Sequence, residues 1–124
     1  MLRRGLRQDA MPQLKHICSG AFVHWLIAGA LKDRRDLPGA LASYRDAIAG
    51  YEKADSSRTL LQWSLSLAHS GAGSILEEQG DLAGALASYR ASLSVAERLV
   101  RIDPADDTYQ DYIALTHRLI GSLL

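Results

Sequence analysis

This chain nearly repeats itself, and no other feature constrains its fold as much. Asp36-Leu37-Pro38-Gly39-Ala40-Leu41-Ala42-Ser43-Tyr44-Arg45 returns 45 residues later as Asp81-Leu82-Ala83-Gly84-Ala85-Leu86-Ala87-Ser88-Tyr89-Arg90, changed only at Pro38/Ala83. A fixed period of about 20–50 residues marks a solenoid, in which each unit buries its apolar face against its neighbours. A second series fills the gaps between. Leu67-Ala68-His69-Ser70-Gly71-Ala72-Gly73-Ser74-Ile75-Leu76 aligns with Leu115-Thr116-His117-Arg118-Leu119-Ile120-Gly121-Ser122-Leu123-Leu124 at an offset of 48. At an offset of 45, His69, Gly73 and Leu76 fall on His24, Ala28 and Leu31. The segment order is therefore A1-B1-A2-B2-A3, with a third unit begun and not completed.

Local patterning makes every segment a helix. In B2, Leu82, Ala85, Leu86, Tyr89, Leu93, Ala96 and Val100 follow helical spacing, while Arg90, Glu97, Arg98 and Arg101 lie largely off that stripe. B1 copies it with Leu37, Ala40, Leu41, Tyr44, Ile48 and Tyr51. Asp36 and Asp81 are placed to cap these helices, and Pro38 sits in a first turn, where its missing N–H costs nothing. Gly80 can end the helix before it in a left-handed conformation, and Pro104 stops B2. Asp55-Ser56-Ser57 offers caps for A2, predicted over about 58–79, and Asp106-Asp107-Thr108 does so for A3. No segment alternates with period two, so strands are not expected.

Composition removes several classes of function. Fourteen basic residues balance fourteen acidic ones, so no net field draws the chain to nucleic acid or anionic lipid. Arg3, Arg4, Arg7 and Lys15 make residues 1–15 a basic N-terminal segment, read as solvated and frayed. The apolar stretch from Ile17 to Leu31 falls short of a membrane span. His24 interrupts it in register with His69 and His117, which a cleaved leader has no reason to obey. The lone Cys18 forms no internal disulfide and fits a reducing, cytoplasmic setting. Residues one repeat apart in stacked helices stand about 10 Å apart, too far for His24, His69 and His117 to share a metal. Gly71 and Gly73 lie within a helical pattern with no preceding strand, which excludes a phosphate loop. No catalytic residues, no metal ligands and no cofactor fingerprint emerge, and an enzyme is not expected.

Small residues mark the expected helix crossings. Gly71, Ala72 and Gly73, with Ala28 and Gly121 at the equivalents of Gly73, would let helix backbones approach closely. Ala40 and Ala85 fall where each B helix crosses its A helix, and Tyr44 and Tyr89 fill the space one turn on. Together with Leu76, Gly80-Asp81 and Pro104, these residues resemble a tetratricopeptide repeat over about residues 20–124. Arg35 stands where the first unit would carry the usual glycine. The period of 45 exceeds the family's roughly 34 residues, largely through a longer helix B. The resemblance implies an all-α, right-handed solenoid of antiparallel helix pairs, about five helices, with units near 16–56 and 57–104 and a partial one at 105–124. It also implies a protein-binding scaffold whose A helices line a concave groove.

Carried over by motif position, that groove takes Trp25, Gly29 and Lys32 from A1, Ser70, Ser74 and Glu77 from A2, and Arg118 and Ser122 from A3. Trp25 is the anchor candidate, with packing against a neighbouring helix as its competing role. Lys32 and Arg118 could receive an acidic group or a chain-terminal carboxylate. A3 also suggests a second use. Ile113, Leu115, Leu119, Ile120 and Leu123 form an apolar stripe with no following helix, which would pair two copies or mark a piece of a longer array.

Overall fold

The computed structural model describes residues 20–53 and 59–124. They form five α-helices, and no strand occurs among them: α1 Gly20–Asp33, α2 Leu37–Glu52, α3 Thr59–Glu78, α4 Leu82–Ile102 and α5 Asp107–Leu123. The basic segment, Cys18 and the Asp55-Ser56-Ser57 caps lie outside the described residues. The all-helical expectation holds, and α3 falls within one residue of its predicted bounds at each end.

The two tight junctions are built alike. At the end of α1, Arg35 N–H donates to Lys32 C=O at 2.9 Å and Asp36 N–H to Leu31 C=O at 2.8 Å. At the end of α3, Gly80 N–H donates to Glu77 C=O at 3.0 Å and Asp81 N–H to Leu76 C=O at 2.9 Å. These paired bonds close a helix around one left-handed residue, and that residue is Gly80 at φ 84° and Arg35 at φ 64°. Arginine thus adopts the glycine conformation in the first unit, because the same turn must deliver the next residue as a cap. Asp36 and Asp81 do cap, accepting from Gly39 N–H at 3.1 Å and Gly84 N–H at 2.9 Å. Asp106 caps α5 through Thr108 N–H at 2.8 Å.

Each helix packs extensively on the next in sequence, α1 on α2 through α4 on α5. The larger core cluster draws on all five: Ala28, Ala40, Leu41, Tyr44, Ala72, Ile75, Leu76, Ala85, Tyr89 and Ile120. A second joins Ala47 and Tyr51 of α2, Leu61, Leu65 and Ala68 of α3, and Val95 of α4. Ala28, Ala40 and Ala85 have no exposed surface, so each marks a contact with no room for a larger side chain.

Two packing expectations are corrected. Gly71 and Gly73 admit tyrosine rings rather than a neighbouring backbone. A Cβ on Gly71 would stand 2.5 Å from Tyr44 Cε1 and Cζ, and one on Gly73 2.9 Å from Tyr89 Cε1. Gly121, at the same repeat position as Gly73, is exposed and a Cβ there would meet nothing within 4 Å. It packs nothing among the described residues.

The apolar stripe of α5 is corrected as well. Ile120 is buried in the main cluster, Leu119 and Leu123 pack against it, and Ile113 is half-buried; of the five stripe residues only Leu115, 44% accessible, is exposed. The offset of 48 explains this. Thr116, Leu119, Ile120 and Leu123 correspond to Ala68, Gly71, Ala72 and Ile75, the side of α3 that meets α2. In α5 that side meets α4, so the stripe already has a partner.

Candidate binding face

Both A-type helices α1 and α3 rest on α2, and along their shared edge the structure brings together several of the sequence-predicted groove residues. At one end, Trp25 of α1, Tyr51 of α2, and Ser64 and Leu67 of α3 line a pocket of about 190 Å³. Trp25 is half-buried and packs against both core clusters, so it serves as wall and as packing residue at once. Tyr51 is 2% exposed and forms the floor. Burial raises its pKa above the ordinary phenol value, and a hydrogen bond with Ser64 offsets part of that rise. At the other end, Lys32 Nζ donates to Ser74 Oγ at 3.0 Å, tying α1 to α3. Seven residues separate Trp25 from Lys32 on α1, about 10 Å along the axis at the helical rise.

The remaining groove residues are placed as follows. Gly29 is half-buried, and the space a Cβ would occupy there is open. Ser70 is half-buried at the repeat position of Trp25, so the next unit carries no indole at that place. Glu77 Oε1 accepts from the Tyr89 hydroxyl at 3.0 Å. Burial, reinforced by the Glu77 carboxylate, drives the Tyr89 pKa far above the phenol range. Arg118 and Ser122 are exposed on α5, and the Ser122 hydroxyl donates to Leu119 C=O at 2.8 Å. The pocket and the Lys32–Ser74 bond draw on α1, α2 and α3, whereas Arg118 and Ser122 stand on α5.

The three aligned histidines have separate surroundings. His24 Nδ1 stands 3.9 Å from Asp46 Oδ2, His117 is exposed, and His69 is half-buried. Burial lowers the pKa of His69, with Glu52 opposing the shift more weakly. The folded state therefore holds this proton less tightly than the unfolded chain does. Stability is expected to fall as pH drops below the ordinary histidine value of about 6.5, levelling off below the folded-state pKa. Denaturant melts of the parent and of His69→Gln between neutral and mildly acidic pH check this. The parent should lose the larger share of its stability, and equal slopes would show that His69 is not the cause.

Sequence reasoning missed a buried hydroxyl network between α3, α4 and α5. Ser66 Oγ donates to Ser92 C=O at 2.9 Å, and Ser92 Oγ donates to Ser66 C=O at 2.7 Å. The Tyr112 hydroxyl completes it at 2.6 Å from Ser92 Oγ. Both serines have no exposed surface. Each hydroxyl satisfies itself on the facing backbone, which lets two helices meet closely without an orphaned polar group. Trp63 shields the site, its ring 5.0 Å from that of Tyr112 and 5.3 Å from that of Tyr109. The available signal was positional: Ser92 falls at the repeat position of Ala47, another buried small residue.

Among the described residues no group of three His, Cys, Asp or Glu side chains could hold a metal ion, and no helix is long and apolar enough to cross a membrane. Comparison with protein-family models, with curated proteins and with solved structures finds no match to this chain.

Proposed function

We propose that this chain is a non-enzymatic protein-binding module, a tetratricopeptide-like solenoid of right-handed helix pairs, that grips an extended partner segment along the α1–α3 face. The lone Cys18 fits a cytoplasmic setting for it. The observation that carries the reading is the pocket of about 190 Å³ at Trp25, Tyr51, Ser64 and Leu67, with a cationic group on the same edge. An apolar recess bordered by a few placed polar groups is the usual form of a recognition site. Lys32 adds an ammonium about 10 Å away along α1. An extended chain covers that span in about three residues. The partner therefore carries an aliphatic or aromatic anchor with an acidic group about three residues away.

Selection from a displayed library of random peptides tests this. Binders of the full chain should share that spacing, Trp25→Ala should abolish their binding, and Lys32→Glu should remove the acidic preference while leaving the apolar one. Peptides that bind Trp25→Ala as well as the parent, or no enriched motif at all, would overturn the reading.

A further inference from the structure

The four residues that line the pocket have counterparts in the second unit, and the two sets place their bulk differently. At the repeat offsets of 45 and 48, Trp25, Tyr51, Ser64 and Leu67 correspond to Ser70, Ala96, Tyr112 and Leu115. The second unit thus carries a single ring at these places, and it comes from α5, where the first unit has Ser64 on α3. That ring is seated. The Tyr112 hydroxyl stands 2.6 Å from Ser92 Oγ of α4 and donates to Ser66 C=O of α3 at 3.4 Å. Its ring meets that of Trp63 edge-on, with centroids 5.0 Å apart and planes at 77°. Tyr112 therefore reaches both α3 and α4, the repeat counterparts of α1 and α2.

In the first unit no ring comes from that place, because the Ser64 side chain ends at Oγ. Trp25 of α1 and Tyr51 of α2 supply an indole and a phenol as walls, and a recess of about 190 Å³ remains. Its size selects what can fill it. A dry cavity of about 150 Å³ holds benzene, so a six-membered ring enters this one with little room to spare. An isobutyl group or anything smaller leaves part of the recess empty and forfeits contacts with the lining there. The walls select in the same direction, since two aromatic rings in tilted or edge-on contact gain more than their buried area alone provides.

We infer that this pocket, which rests on its reading as the anchor site of the binding face, is a site for an aromatic ring: the partner segment inserts a phenyl-class side chain where the second unit has its own Tyr112. The anchor thereby narrows from any apolar group to an aromatic one.

The probes are N-acetyl-phenylalaninamide and N-acetyl-leucinamide, titrated separately into the isotope-labelled full chain. The chain has two tryptophans, so the indole N–H of Trp25 reports on the pocket and that of Trp63 serves as the internal control. The phenylalanine probe should shift Trp25 saturably, leave Trp63 unmoved, and bind about tenfold more tightly than the leucine probe. Ser64→Phe, which builds the ring of the second unit into the first, should abolish the shift at Trp25. The comparison of the two probes on the parent needs no variant to fold. Equal affinities, a shift at Trp63 without one at Trp25, or undiminished binding by a folded Ser64→Phe would overturn the ring site. Library-selected peptides that bind through Trp25 with leucine or valine as anchor would also overturn it, while leaving the protein-binding module standing. A saturable phenylalanine shift at Trp25 with no enriched peptide would do the reverse.

Discussion

Truncating Tyr44 to alanine is expected to cost about 3–5 kcal/mol and to reverse the effect of a second substitution, Gly71→Ala. The ring of Tyr44 is 8% exposed and belongs to the main core cluster, so its removal opens a cavity at the α2–α3 contact. In the parent, a Cβ on Gly71 would stand 2.5 Å from two ring carbons and 2.9 Å from the hydroxyl oxygen. Alanine gains about 1 kcal/mol of helix propensity over glycine, but displacing a buried ring costs more, about 1–3 kcal/mol. Gly71→Ala alone should therefore destabilise. Once Tyr44→Ala has removed the ring, the same change keeps its propensity gain and refills part of the cavity, so it should stabilise. Urea melts of the four proteins form a double-mutant cycle whose coupling is expected to exceed about 1 kcal/mol. Equal effects of Gly71→Ala in both backgrounds would show that the glycine does not exist for the ring.

The same contact shows where reading the sequence stopped. Gly71 and Tyr44 were both recognisable as packing residues, glycine because it weakens a helix and tyrosine because it recurs. Their pairing was not recognisable, because it joins consecutive units whose relative rotation no local pattern encodes. Caps behaved differently. Asp36, Asp81 and Asp106 were legible because a capping carboxylate acts on an N–H two or three residues away. The left-handed Arg35 was legible only through the repeat, since arginine has no preference for φ 64° and merely occupies the place where the second unit has Gly80.

The α5 stripe failed for a physical reason of the same order. Periodicity finds an apolar face but says nothing of its direction, and Ile120 and Leu123 were read as facing outward when their repeat equivalents Ala72 and Ile75 face the preceding helix. The candidate site was half visible. Trp25, Lys32 and Ser74 were named from motif position, and the structure joins the last two. Tyr51, Ser64 and Leu67 were missed because the pocket they line is a gap among three helices, a property of packing that no single helix displays.

Ala85→Leu is expected to lower stability by about 1–3 kcal/mol, whereas Ala87→Leu on the same helix should stay within about 0.5 kcal/mol of the parent. The two alanines lie two residues apart, about 200° around the helix, and in opposite environments. Ala85 has no exposed surface and sits in the cluster with Ile75, Leu76 and Tyr89, while Ala87 faces solvent. Leucine and alanine are both good helix formers, so propensity contributes almost nothing and packing alone separates the variants. Three extra carbon atoms at residue 85 must push α4 from α3, and the movement strains the Ser66–Ser92 exchange, whose bonds of 2.7 and 2.9 Å leave little slack. Loss of amide protection is thus expected to spread from α4 to α3 and to the end of α5 that Tyr112 ties in. Thermal melts and hydrogen exchange on both variants check this, and an Ala85→Leu protein as stable as Ala87→Leu would remove Ala85 from the crossing.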